Sequence, residues 1–149
     1  ILKNLFSPFK KKLSWDHFSW VTYTDPEIAT FGRNAKTLTE QGVSFETLEI
    51  DLTEEDRELI DENVGKLKLS ISPGNKILGG TMIGSNAGEI AQELILAMSA
   101  GLKVDDIFAK IYPYPTASRI NKKVIQQKMA GKLTDRTKWL LQKLYQLFG

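Results

Sequence analysis

Apolar and polar positions alternate most strictly just before the middle of the chain. Leu67, Leu69 and Ile71 fall on one side, and Lys66, Lys68, Ser70 and Ser72 fall on the other. A period of two predicts a half-buried strand with one wet face. Pro73-Gly74-Asn75 is a turn sequence. The run from Lys76 to Ile83 reads as the returning strand of an antiparallel hairpin. Upstream, Trp20-Val21-Thr22-Tyr23-Thr24 is β-rich and predicts another strand. Val43 to Ile50 predicts a further one, with its apolar phase slipping between Phe45 and Leu48 as at a bulge or strand end.

Helical signals occupy the rest. Asp25-Pro26-Glu27 looks like an N-cap followed by proline at the first helical position, which predicts a short helix from Pro26 to about Phe31, ending near Gly32. A second helix is expected from Asn34 to Gln41, stopped by Gly42. Thr53-Glu54-Glu55-Asp56 resembles a capping box opening a short acidic helix. Asn86 with Glu89 reads as another capping box, and Ile90, Leu94 and Met98 form one apolar stripe up to Gly101. A short helix fits Val104 to Lys110. Prolines at 113 and 115 bar helix through Tyr112–Thr116. A helix from Thr116 to about Met129 follows, Gly131 breaks it, and Thr134 caps a last amphipathic helix to Phe148. The first nineteen residues read as irregular, aromatic and lysine-rich. The pattern is that of an α+β domain: an antiparallel sheet with helices packed on it.

Composition narrows the functional classes. The chain has 149 residues, 42% of them apolar and 26% charged, with a net charge of +2. That suits one domain with a real core and gives no reason to expect nucleic acid. The dense basic cluster Lys10-Lys11-Lys12 reads as a solvated loop. There is no cysteine, so a disulfide framework, a thiolate metal site and a Cys nucleophile are excluded. No apolar run reaches the roughly 18–20 residues that span a bilayer. A membrane is therefore not an expected partner, and a cytoplasmic location is the default expectation. A start at Ile1 rather than Met hints at chain removed upstream.

No constellation in the sequence performs chemistry alone. His17 is the single histidine, and it reads as structural or solvated. Gly79, Gly80, Gly84 and Gly88 precede a predicted helix, but their spacing departs from Gly-x-Gly-x-x-Gly and no Gly-Lys-Ser/Thr follows. Close backbone packing and a tight strand-to-helix turn explain them. The acidic residues Asp51, Glu54, Glu55, Asp56, Glu58, Asp61 and Glu62 lack the order of a calcium loop and read as a solvated helix face. The stripe Leu140, Leu141, Leu144, Leu147 and Phe148 fits docking on the domain, with a partner or membrane-surface helix as the other reading.

Four segments in order then carry a resemblance. They are Trp20-Val21-Thr22-Tyr23-Thr24-Asp25-Pro26-Glu27-Ile28-Ala29-Thr30-Phe31-Gly32, Lys76-Ile77-Leu78-Gly79-Gly80-Thr81-Met82-Ile83-Gly84, Asn86-Ala87-Gly88-Glu89-Ile90, and Tyr114-Pro115-Thr116. Together they resemble the C-terminal dimerisation domain of the FAD-dependent pyridine nucleotide-disulfide oxidoreductases. The resemblance spans roughly residues 20–125. It implies the fold of that domain and a division into a connecting segment (1–19) leaving a missing FAD domain, a dimerisation domain (20–130), and a C-terminal amphipathic helix (131–149). It implies a homodimer, with the Asn86 helix and the Tyr112–Arg119 loop facing the two-fold axis or the partner's flavin. It implies FAD and NAD(P)H in the parent enzyme, bound by earlier domains of the same polypeptide, and neither cofactor nor catalysis in this chain alone.

In the family a His-Pro-Thr loop enters the partner's active site, where the His, paired with a Glu, serves as acid and base for thiol chemistry. Here Tyr114 stands at the His position and Arg119 at the Glu position. A phenol that titrates near pH 10 is a poor base at neutral pH, and a guanidinium does not deprotonate. Tyr114 and Pro115 are thus the candidate residues near the partner's flavin, with Arg119 beside them. Mercuric-reductase-like members resemble the chain best, since they carry Tyr there, although their C-terminal cysteine pair is absent. Tyr114 reads equally as an interface aromatic between two prolines. A free-standing protein-interaction module on the same fold is the alternative reading.

Overall fold

The computed structural model of the protein describes residues 2–10, 15–131 and 135–148. The alternating segment is strand β4 (Lys66–Ile71), with Leu67, Leu69 and Ile71 fully buried. It turns through Pro73–Asn75 into β5 (Ile77–Gly84), pairing antiparallel from Lys66 against Ile83 to Leu69 against Gly80. Ser72 closes the turn. Its amide donates to the Lys76 carbonyl at 2.9 Å, and its Oγ accepts from the Lys76 amide at 3.0 Å. Asn75 takes the left-handed φ of 63° that Asn tolerates better than most residues.

Strands β1 (Ser19–Thr22), β2 (Glu27–Gly32) and β3 (Glu46–Asp51) complete an antiparallel sheet of order β1-β2-β5-β4-β3. This confirms the α+β expectation but corrects three of its elements. The first correction is the helix expected over Pro26–Phe31. The Asp25–Pro26 bond is cis, and Glu27–Gly32 is a central strand paired on both sides. A cap contributes about 1 kcal/mol. Burying Ala29 and Phe31 in the sheet's core face, with a ladder on each side, outweighs it. The second is the strand expected from Val43: β3 starts only at Glu46, so the phase slip before Leu48 marks a strand end, and the register shift of the sheet lies between Ser70 and Ile71. The third is the acidic helix. A 3₁₀ turn (Leu52–Glu54) precedes α3 (Asp56–Ile60), and Glu55 occupies the N-cap position without a side-chain cap bond.

The remaining elements follow the expectations more closely. The first nineteen residues are not wholly irregular: α1 spans Leu2–Phe6, and a 3₁₀ turn spans Trp15–His17. In the basic cluster, Lys11 and Lys12 lie outside the described residues. Helix α2 (Ala35–Glu40) is capped by Asn34, whose Oδ1 accepts from the Thr37 amide at 2.8 Å. The helix expected from Asn86 is divided at Ala91 into α4 (Ala87–Ile90) and α5 (Gln92–Ala100). Asn86 is left-handed and caps nothing. Instead, Glu27 Oε2 accepts from the Gly88 amide at 3.1 Å, bringing a carboxylate from β2 to the start of α4. Gly101, with φ of 69°, ends α5 as expected.

Helix α6 spans Val104–Ala109. Helix α7 (Arg119–Gly131) begins later than Thr116 and includes Gly131 as its last residue. Helix α8 spans Asp135–Phe148, and its expected cap Thr134 lies outside the described residues. Leu144 and Leu147 of α8 are solvent-exposed, contrary to the docking expected of that stripe. The side chains of Leu140, Leu141 and Phe148 lie outside the described set.

Helix α4 packs on β2, α5 on β5, α7 on β3, and α6 against α7. The core lies between them and the sheet. Glycine permits one contact in it: Gly80 sits opposite Phe31, and a Cβ there would meet the Phe31 ring at 2.6 Å. The glycines of β5 therefore serve close packing within a strand. On the sheet's other face, Lys66 and Lys68 on β4 each approach Glu49 on β3 at 2.8 Å, and Lys66 lies 3.6 Å from Asp51. The hydrogen bond from Lys66, followed by that from Lys68, holds the Glu49 carboxyl down at about 2.

Candidate active-site loop

The segment joining α6 to α7 contains Tyr112-Pro113-Tyr114-Pro115-Thr116, and its structure is built from two anchors. The first is at its base. Glu93 on α5 accepts from Tyr112 Oη at 2.6 Å and from Asn121 Nδ2 at 3.1 Å through one oxygen, and from Lys110 Nζ at 2.6 Å through the other. Asn121, buried on α7, also donates to the Ile90 carbonyl at 3.0 Å. Burial alone would push the Glu93 carboxyl up, but hydrogen bonds from Lys110, Tyr112 and Asn121 outweigh it and hold it below the usual range. Burial and the same carboxylate push the Tyr112 phenol far up. Lys122 Nζ donates to the Lys110 carbonyl at 3.0 Å, and Thr116 Oγ1 donates to the Pro113 carbonyl at 2.9 Å. The base of the loop is thus fixed from α5 and α7 together.

The second anchor is at the tip. Tyr114 is 68% exposed, and the Tyr114–Pro115 bond is cis. The Asp56 carboxylate, acting on the hydroxyl, raises the phenol above its ordinary value. The Arg119 guanidinium lies 4.8 Å from the ring centroid. Arg119 Nη1 is in turn 3.3 Å from Glu55 Oε1, and Lys123 Nζ is 3.7 Å from Glu55 Oε2. Glu55 is fully buried; its oxygens meet these cations by charge rather than through aligned hydrogen bonds.

The structure therefore brings together two of the residues singled out in the sequence, Tyr114 and Arg119, with Pro115 beside them. It bears out the reading of the acidic segment as a solvated face at Asp51, Glu54, Asp56, Asp61 and Glu62, which are exposed, and corrects it at two positions. Glu55 and Glu58 are both fully buried, and Glu58 Oε2 accepts from Asn63 Nδ2 at 2.9 Å while burial raises its carboxyl. The signal available was spacing: Leu52, Glu55 and Glu58 recur every third residue, the stripe of an inward face. Glu93 and Asn121 were also missed, being polar positions on otherwise apolar helix faces.

His17 is exposed and borders an open cleft of about 360 Å³ with Asp16, Arg33 and Lys76. Among the described residues no group of three His, Cys, Asp or Glu is placed to hold a metal ion, and no helix is long and apolar enough to cross a membrane.

A five-stranded antiparallel sheet with helices packed on it thus presents an aromatic loop, flanked by prolines, at its surface. Residues 18–124 match the dimerisation domain of the pyridine nucleotide-disulphide oxidoreductases, and the chain belongs to that family. Dihydrolipoyl dehydrogenase of Buchnera aphidicola from Acyrthosiphon pisum is 36% identical over 100 residues, 66% of this chain and 21% of that protein. Dihydrolipoyl dehydrogenase of Mycoplasma pneumoniae is also 36% identical over 100 residues, covering 66% of this chain and 22% of its own. The chain thus spans about a fifth of the length of these curated relatives. Among solved structures, LpdA from Mycobacterium tuberculosis superposes with a TM-score of 0.78 at 17% identity, covering 85% of this chain and 28% of that one. The flavoprotein disulfide reductase RclA from Escherichia coli, in its Cu(II) complex, gives 0.74 at 16% identity over 84% of this chain and 29% of that one. The shared fold is that of the flavoprotein reductase dimerisation domain.

Proposed function

We infer that this chain is the interface domain of a homodimeric, FAD- and NAD(P)H-dependent reductase, and that its Tyr-Pro-Thr loop completes the partner subunit's active site. The observation that carries this reading is Tyr114: an aromatic side chain left largely exposed at the tip of a loop whose base is partly buried and hydrogen-bonded to α5 and α7. A loop so held has little to gain for its own fold from displaying the ring. It is suited to meeting a second surface. Residues 1–19 would then lead in from an FAD domain, residues 20–130 form the interface unit, and residues 131–149 extend from it as a terminal helix. FAD and NAD(P)H would be held by the preceding domains, with Tyr114 and Pro115 near the partner's flavin.

The chemistry at the loop differs from thiol acid–base catalysis. Tyr114, held protonated by Asp56, is a hydrogen-bonding group and not a base at neutral pH. Arg119 lies on the ring and pairs with Glu55, so it steadies the phenol rather than tuning a proton acceptor. With Tyr in the place of the family's His, the parent resembles mercuric-reductase-like members. Its acceptor is one that needs contact and polarisation at this loop rather than proton abstraction.

Sedimentation equilibrium of the protein expressed from its natural reading frame tests the interface. A dimer that persists on dilution is expected; a monomer across the whole range would overturn the reading.

A further inference from the structure

We propose that Glu55 and Asp56, the two successive residues at the start of α3, are positioning residues that clamp Tyr114 in the orientation it presents to the partner. The inference rests on the function proposed above for the loop, and its own support is the geometry that joins Glu55, Arg119 and the Tyr114 ring. Asp56 adds to it from the hydroxyl side, where its carboxylate raises the phenol. Glu55 takes the guanidinium of Arg119, whose opposite contact is the face of the same ring at 4.8 Å. Asp56 is exposed and its neighbour Glu55 buried, so a single turn of chain acts on the phenol at its hydroxyl by charge and, through Arg119, at its face. Without them an aromatic side chain this exposed would be free to exchange between rotamers.

The character of Glu55 favours this role over a purely structural one. Its side chain is 0% exposed, yet it makes no capping bond to α3, and neither oxygen has an aligned hydrogen bond. A buried carboxylate served by ion pairs alone is a poor source of stability, and an apolar residue would serve packing better. What it does provide is a fixed negative point beneath α7, where Arg119 and Lys123 converge. Arg119 stands where the resemblance expects a carboxylate; the charge is inverted on α7, and a complementary carboxylate comes from α3.

The test reads Tyr114 itself. With isotope-labelled tyrosine, assigned by Y114F, three-bond couplings should report one χ1 rotamer in the wild type and rotamer averaging in D56N and in E55Q. The phenol should titrate above its ordinary value of about 10 in the wild type, return to it in D56N, and rise again in D56E. A single rotamer retained in both variants, or a titration indifferent to D56N, would overturn the clamp. Asp56 is exposed, so D56N decides the matter even where E55Q does not fold. These readouts belong to one subunit. A monomer whose Tyr114 depends on Asp56 would sink the interface reading alone, and a dimer whose Tyr114 ignores Asp56 would sink the clamp alone.

Discussion

Tyr112 and Tyr114 lie two residues apart in one loop, yet the fold treats them in opposite ways. The first is partly buried and gives its hydroxyl to Glu93, which already serves Lys110 and Asn121. The second stands mostly in solvent, with a guanidinium on its face and the Asp56 charge acting on its hydroxyl. Both meet carboxylates, and both phenols are pushed up. The difference lies in what surrounds the bond. In a partly buried network each lost partner strands the others, whereas at an exposed tip water replaces whatever is removed. The base of the loop therefore holds the fold, and the tip is free to be selected for what it touches.

That contrast is easiest to break at Glu93. Glu93→Ala strips the acceptor from three donors and should cost about 3 kcal/mol in urea unfolding. Asn121→Ala, which removes the link to the Ile90 carbonyl as well, should cost about 1–2 kcal/mol by the same measurement. Tyr112→Phe should cost about 1 kcal/mol, and Tyr114→Phe should change stability by less than about 0.5 kcal/mol. Equal losses for the two phenylalanine variants would erase the distinction between base and tip.

The smallest effect belongs to the open face of the sheet. Glu49 sits at about 2 in the folded protein, below its ordinary 4.5, because Lys66 and Lys68 donate to it. A carboxyl lowered on folding contributes stability above its unfolded value and loses it as pH falls, here between about pH 5 and about pH 2. The gap in melting temperature between wild type and Glu49→Gln should close over that interval. High salt should shrink it at every pH, since these side chains are exposed.

Where structure follows local pattern, the sequence was readable. The strict alternation at Leu67–Ile71, the Pro73–Asn75 turn and the Gly101 stop all became what they predict. Pattern failed where distant partners overrule it. Asp25-Pro26-Glu27 carries every local mark of a helix start, but Phe31 and Ala29 face a core assembled from residues some fifty positions away. Glu27 itself reaches a helix N-terminus, only that of α4 rather than its own. In the candidate site, Tyr114, Pro115 and Arg119 were found through the ordered family segments. Glu55 was not, because an acidic run looks solvated until the inward spacing of Leu52, Glu55 and Glu58 is read against it. The contact of Arg119 with Glu55 joins residues that no local spacing connects.

The two prolines around Tyr114 carry one more consequence. Ordering a residue on association costs about 1–2 kcal/mol of chain entropy, and a free loop would bear that cost when it met its partner. Pro113 and Pro115 fix two of the backbone angles in advance, and Tyr112 ties down the segment that precedes them. The loop arrives at any second surface already shaped. Under the function proposed above, contacts of the Tyr114 ring would add to affinity instead of being spent on folding the loop that bears it.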